Sequence, residues 1–297
     1  MKTPEARQSE VISHQNGLEQ TIGRYKQSDS FLDLSENTRS AYTADLTQFQ
    51  AYCKTQDISE VSKIESEDIK NWYCQLRQAG KAPATNNRKR SSLSSFFKWA
   101  QAEGIIQPDF TMSLPRYESV EKKQPRILSA EQADSLISKA KNLRDASLIL
   151  IALATGASIK EIVNLNREDI LKTRNGNIAI RFKGIVKKAQ PRKREVDKKA
   201  GSKIAEYIKK SRLKPEDPLF KGFRDGYGRG RLTRVSAHQI LERYGGEIGV
   251  EHLNPRILRD TFIANFTGSP RELDAILGRR NPRPSRSTYS PRPLLKI

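Results

Sequence analysis

Residues 145–155, DASLILIALAT, are the most apolar run in a chain otherwise dominated by charge, and they constrain the fold more than any other stretch. Only 36% of the residues are hydrophobic and 30% are charged, so a run of this kind has to be a buried helix with other elements packed around it. It lies inside a region that opens at Leu128 with LSAEQADSLI, where Ser129 is a good N-cap and Glu131 and Gln132 support the first turn. A folded unit therefore begins near residue 127.

The rest of the 297 residues suffices for a second unit. Residues 1–30 are polar and rich in Gln, Ser and Lys, and are expected to form a loose arm or a frayed helix. From Ser35 a capped amphipathic helix carries Tyr42, Leu46, Phe49 and Tyr52 on one face. A second helix over residues 66–79, with Ser66 as N-cap, turns Ile69, Trp72, Tyr73 and Leu76 inward. A third over residues 85–103 is apolar on Leu93, Phe96, Phe97 and Ala100, with Arg88, Lys89 and Arg90 crowding its start. These helices predict a domain over residues 31–112. The mixed-charge stretch around Pro115 predicts a linker at residues 113–126, and a second domain fills residues 127–297.

Lys and Arg number 54 against 34 Asp and Glu, a net charge of +20 with a pI near 10.0, which points to a polyanionic partner and first of all to nucleic acid. No apolar run is long enough to span a bilayer, and residues 1–33 lack a hydrophobic core like that of a signal peptide. The expected setting is cytoplasmic and nucleoid-associated, with no membrane partner. Cys53 and Cys74 have no metal-ligand spacing and read as two semi-buried reduced thiols, while His238 and His252 read as surface or capping residues. Neither a cofactor nor a metal is expected, which disfavours metal-dependent nuclease chemistry.

Chemistry is concentrated in residues 253–289. Arg256 and Arg259 lie three apart on a predicted helix, Arg279 and Arg280 follow a short helix, and Tyr289 stands in a basic, Pro-broken tail. A phosphodiester under attack builds charge on its equatorial oxygens, and guanidinium forks match those oxygens best. A tyrosine hydroxyl can attack phosphorus and leave a covalent phosphotyrosine that conserves the bond for rejoining. Residue types alone fit a strand-exchange enzyme or a type IB topoisomerase-like nicking and resealing enzyme equally.

From about Ser35 onward the sequence resembles the tyrosine recombinase (phage integrase, Xer-like) family. Arg256-Ile257-Leu258-Arg259-Asp260-Thr261-Phe262 resembles the block that holds the family's second arginine, with Arg256 in place of His or Lys. Leu277-Gly278-Arg279 resembles its Leu-Gly-His block, and Tyr289 follows at about the family's distance. Thr155-Gly156-Ala157-Ser158-Ile159-Lys160-Glu161 resembles the Thr-Gly-x-Arg-x-x-Glu block, with Ser158 where the family has its first arginine.

The resemblance implies a mainly α fold with a small β-hairpin or sheet in the catalytic domain, built as a two-domain DNA clamp of a helical core-binding domain and an integrase-type catalytic domain. Strand signals at residues 177–182 and 192–196 supply the hairpin. Lys183 falls where the family's hairpin lysine sits, the general acid for the departing 5′ oxygen. The implied catalytic set is Tyr289, Arg259, Lys183, Arg256 and Arg279. DNA phosphates would be met by Arg88, Lys89, Arg90, Lys187, Lys188, Arg192, Lys193, Arg194, Arg229, Arg231 and Arg234.

Loss of a preorganised guanidinium at Ser158 costs roughly a hundred- to a thousandfold in rate unless another cation, such as Lys160, Arg256 or Arg279, compensates. Two readings follow. One is a site-specific recombinase acting through a 3′-phosphotyrosine, as a homo-tetramer on paired double-stranded DNA sites, with or without a second recombinase or accessory factor. The other is a catalytically degenerate DNA-binding protein of the same fold.

Overall fold

The computed structural model describes residues 17–106, 125–184, 190–222 and 230–279. The chain divides between residues 122 and 123 into two compact units, each with a hydrophobic core of its own.

The first unit comprises α1 (Leu18–Gln27), the single turn α2 (Asp29–Leu32), α3 (Glu36–Thr55), α4 (Ser66–Gln78) and α5 (Pro83–Ala102). Residues 17–30 depart from the loose arm expected of them. Leu18, Ile22 and Tyr25 recur at helical spacing and are buried, and Tyr25 meets Phe96 at 5.5 Å between ring centroids. Three apolar residues on one stripe outweigh the polar composition around them.

The helices starting near Ser35, Ser66 and Thr85 fall where periodicity put them, and Phe49, Trp72 and Phe97 interlock edge to face at their centre. Two details differ. Glu65 rather than Ser66 caps α4, its backbone N–H donating to the Asp68 carboxylate at 2.8 Å. Cys53 is buried, which pushes its thiol up to about 12, but Cys74 is exposed.

At the basic start of α5, where DNA contacts are expected, Arg88 is exposed but Lys89 is buried. Lys89 lies on the same stripe as Leu93, Phe96 and Ala100, and its side chain is only 3% exposed. Its ammonium donates to Asp45 at 3.0 Å and to Gln48 at 2.5 Å, and it faces the Trp72 ring at 5.6 Å. Arg88 pairs with the same Asp45 and reaches the Ala41 carbonyl. Lys89 is thus a buried structural cation rather than a DNA contact, because its only carboxylate lies in the core. Arg90 is half-buried.

The second unit is built around the apolar run. It forms α7 (Leu143–Thr155), capped by Asn142, and packs against α6 (Ala130–Lys139), α9 (Lys198–Ser211) and α11 (Pro255–Asn265). The short helix α8 (Ile159–Val163) follows α7, and α10 (Arg234–Glu247) and α12 (Pro270–Ile276) complete the described helices. The expected hairpin is one half of a three-stranded antiparallel sheet: β1 (Ile170–Lys172), β2 (Ile178–Phe182) and β3 (Arg192–Glu195), in the order β1-β2-β3. Among the described residues no helix is long and apolar enough to cross a membrane.

Arg231, expected to meet DNA, is half-buried and acts as a strap within its own unit. One terminal nitrogen donates to the Val163 and Leu165 carbonyls, each at 2.9 Å, and the other to the Asn166 side chain at 2.5 Å. It ties the chain ahead of α10 to the end of α8.

Removing one member of a buried ion pair leaves the other charge without compensation. Asp45→Ala is expected to lower the stability of the first unit by about 3–5 kcal/mol, and Asp45→Leu with Lys89→Met to come close to neutral. Both tryptophans, Trp72 and Trp99, lie in that unit, so denaturant unfolding followed by tryptophan fluorescence reads it directly.

Candidate active site

Everything at the candidate site is arranged around the carboxylate of Glu161, on α8. The sequence Ser158-Ile159-Lys160-Glu161 folds as a capping box. The Ser158 backbone N–H and hydroxyl donate to Glu161 Oε2 at 2.8 and 2.7 Å, while the Ser158 hydroxyl accepts from the Glu161 N–H at 3.4 Å. Ser158 therefore has a positive role in starting α8.

The other carboxylate oxygen is taken by an arginine from β3. Arg192 Nη1 donates to Glu161 Oε1 at 2.5 Å, and the Arg192 side chain is 8% exposed. Its guanidinium covers the Phe182 ring at 4.5 Å, and Nε donates to the Ile276 carbonyl at 2.6 Å. Pairing of Phe182 with Arg192 across β2 and β3 sets this register. Arg192 was expected on a DNA-facing surface; the β-register turns it inward instead.

Arg259 comes from α11, and its Nη1 lies 3.9 Å from Glu161 Oε2, with the side chain 23% exposed. Burial pushes its guanidinium pKa down, Glu161 pushes it back up, and the charges of Arg279 and Arg192 add to the downward push. Two arginines thus share one carboxylate, and the charge of Arg279 acts on Arg259 from beside them. Arg279 is held by Asp274, at the end of α12, at 2.9 Å.

Two glycines permit this approach. Gly156 ends α7 at φ +58°, and a Cβ there would stand 2.3 Å from the Phe262 ring of α11. Gly278, at φ +65°, has its carbonyl accepting from the Gln190 N–H at 3.0 Å, and a Cβ there would meet Arg192 Nη1 at 2.8 Å. The Thr-Gly and Leu-Gly pairs read from the sequence are thus places where backbone lies directly against site side chains.

The remaining expected residues divide. Lys183 follows β2 and lines a narrow cleft together with Glu161, but its ammonium is bound to Glu168 at 2.8 Å and Asp169 at 3.4 Å. The hydrogen bond it donates to Glu168 raises its pKa, so it carries the proton a general acid needs but holds it tightly until those carboxylates are exchanged for another partner. Arg256 stands apart, 86% exposed and paired with Asp260 at 3.4 Å. Lys160 and Arg194 are half-buried; Arg194 lies 5.9 Å from the Phe262 ring centre, and its buried Nε has no partner. Lys193 and Arg234 are exposed. Tyr289, Lys187, Lys188 and Arg229 lie outside the described residues.

Sequence reasoning missed two things here. The Ser-x-x-Glu signature of the capping box was visible and reads as a helix start. Nothing local marks Arg192, since its burial depends on strand pairing.

The family described as "Phage integrase, N-terminal SAM-like domain" matches residues 32–104, and the "Phage integrase family" matches residues 126–287. The chain is 32% identical over 253 residues, 82% of each chain, to a protein of Caldanaerobacter subterraneus subsp. tengcongensis provisionally designated a tyrosine recombinase. It is 28% identical over 257 residues to the tyrosine recombinase XerC of Roseiflexus sp., covering 82% of this chain and 79% of that one. Among solved structures, the Tn1549 transposon integrase in complex with transposon right end DNA shares the fold at a TM-score of 0.71 and 17% identity, over 92% of this chain and 95% of that one.

Gly156→Ala is expected to cost at least about 1–2 kcal/mol from the left-handed backbone alone, with displacement of Phe262 adding to it, read by calorimetry. A second expectation concerns pH. Burial pushes the Glu161 carboxyl up, but the hydrogen bond and charge of Arg192, with the Ser158 hydroxyl and amide, outweigh it and hold the group below its ordinary 4.5. A depressed carboxyl adds stability that is fully present above the unfolded value and is lost as pH falls through the folded value. Unfolding free energy should therefore decline below pH 4.5, and Glu161→Gln should remove that part of the slope.

Proposed function

Since the chain belongs to the phage integrase family, we propose that it is a site-specific DNA recombinase that cuts and rejoins strands through a 3′-phosphotyrosine intermediate. The observation that carries this reading is the placing of Arg259 and Arg192 at the single carboxylate of Glu161, with the charge of Arg279 acting on Arg259. Arg192 already pairs closely with Glu161, so the guanidinium of Arg259 is left without a close carboxylate in a half-buried site, which suits a bound phosphodiester.

In the proposed reaction the Tyr289 phenol gives up its proton to solvent water as its oxygen bonds to the scissile phosphorus. The bond from phosphorus to the 5′ oxygen breaks, and that oxygen takes a proton from Lys183. Arg259 and Arg279 hold the equatorial oxygens while charge builds on them. Lys183 has to leave Glu168 and Asp169 to do so, and arrival of a DNA phosphate in the Glu161 cleft offers it a competing anion. A 5′ hydroxyl from the partner duplex then attacks the phosphotyrosine, releasing Tyr289 and joining the strands. Exchange between two sites calls for four active subunits, which makes a tetramer on paired DNA the working assembly, in the cytoplasm with the nucleoid.

DNA sequences selected by this protein from a random pool would be rebuilt as nicked suicide duplexes. The wild type is expected to give an adduct that survives denaturation, and Tyr289→Phe to give none while keeping salt-sensitive binding. Binding with no adduct from the wild type would leave only the DNA-binding reading. Lys183→Ala is expected to cut the rate of adduct formation by about a hundredfold or more.

A further inference from the structure

Ser158 removes a guanidinium from the position where the family places its first arginine, yet the carboxylate three residues later still has an arginine bound to it. That arginine is Arg192, delivered from β3 rather than from the start of α8. Resting on the recombinase reading above, we infer that Arg192 supplies the guanidinium missing at Ser158 and binds the scissile phosphate beside Arg259.

The orientation of its fork supports this. Nε is fixed by the Ile276 carbonyl and Nη1 by Glu161, so the group is anchored on two sides and stacked on Phe182. Nη2 is buried and has no partner. An arginine held this firmly with one donor unsatisfied is carried at a desolvation cost that an arriving anion would offset. Phosphate is the ligand matched to that donor, because Glu161 is already engaged by Nη1 and the charges of Arg192 and Arg279 both act on the neighbouring Arg259.

Arg192 also governs Arg259. By pairing tightly with Glu161 Oε1 it neutralises the carboxylate that Arg259 faces, and Arg259 remains 3.9 Å away rather than closing on it. The vacancy left by a short side chain is thereby filled from a neighbouring strand. Gly278 completes the arrangement, since any side chain there would push into Arg192.

The test is single-turnover adduct formation by the full chain on the self-selected nicked suicide duplexes, at saturating DNA. Arg192→Ala is expected to slow the adduct a hundred- to a thousandfold. Adding Ser158→Arg to that variant is expected to restore at least about tenfold, which a purely structural role for Arg192 would not allow. Arg192→Lys keeps the charge on Glu161 without the fork, and is expected to fold as the wild type and lose about tenfold or more. It decides the matter if the alanine variant fails to fold.

Rates within about threefold of wild type for either folded variant, or no restoration by Ser158→Arg in a folded Arg192→Ala protein, would overturn the assignment while leaving the recombinase reading intact. A wild type that yields no adduct overturns both.

Discussion

One buried carboxylate organises the catalytic half of this protein. Glu161 accepts from the backbone and hydroxyl of Ser158 on one oxygen and from Arg192 on the other, with Arg259 beyond them. Each partner comes from a different part of the chain: the start of α8, the first residue of β3 and the middle of α11. A buried carboxylate without such partners would be costly, so the ion cluster requires those three elements to be in place together. The apolar α7 makes that possible by giving α8, α9 and α11 a common surface to pack on.

This arrangement also accounts for the two glycines that the sequence places beside reactive residues. At Gly156 the absence of a side chain lets the Phe262 ring lie against the end of α7, which fixes α11 and hence Arg259. At Gly278 it leaves room for Arg192. Backbone lying directly against site side chains leaves little slack, and a phosphate pocket needs its donors held in place before charge develops. Rigidity of the scaffold and chemistry of the pocket are therefore one design problem here.

A second theme is that positive charge alone does not identify a DNA-facing residue. Of the basic residues read as DNA contacts, Lys89, Arg192 and Arg231 are committed to carboxylates or carbonyls inside their own units. Lys193 and Arg234 remain exposed, open to the backbone phosphates of a duplex, whereas Arg192 could meet only a phosphate that enters the site. The excess of 54 cations over 34 anions is ample for both uses, so the net charge of +20 signals a polyanionic partner without saying which side chains meet it.

The sequence by itself determined most of the helices, the bulk of the two cores and the family, though not the helix over Leu18–Gln27. Apolar spacing marked Leu46, Phe49, Trp72, Tyr73, Phe96 and Phe97, the run at residues 145–155 marked the central helix, and the Arg259 and Leu277-Gly278 blocks marked the chemistry. Those features are local, because a helix face or a short motif is written in neighbouring residues. Even the burial of Lys89 was legible in principle, since it falls on the Leu93 stripe. Only the tertiary structure decided which guanidinium stands beside Glu161. Arg192 follows Phe182 by ten residues of chain and lies opposite it through strand pairing, and a register of that kind is fixed by long-range hydrogen bonds and packing that no short window of sequence contains.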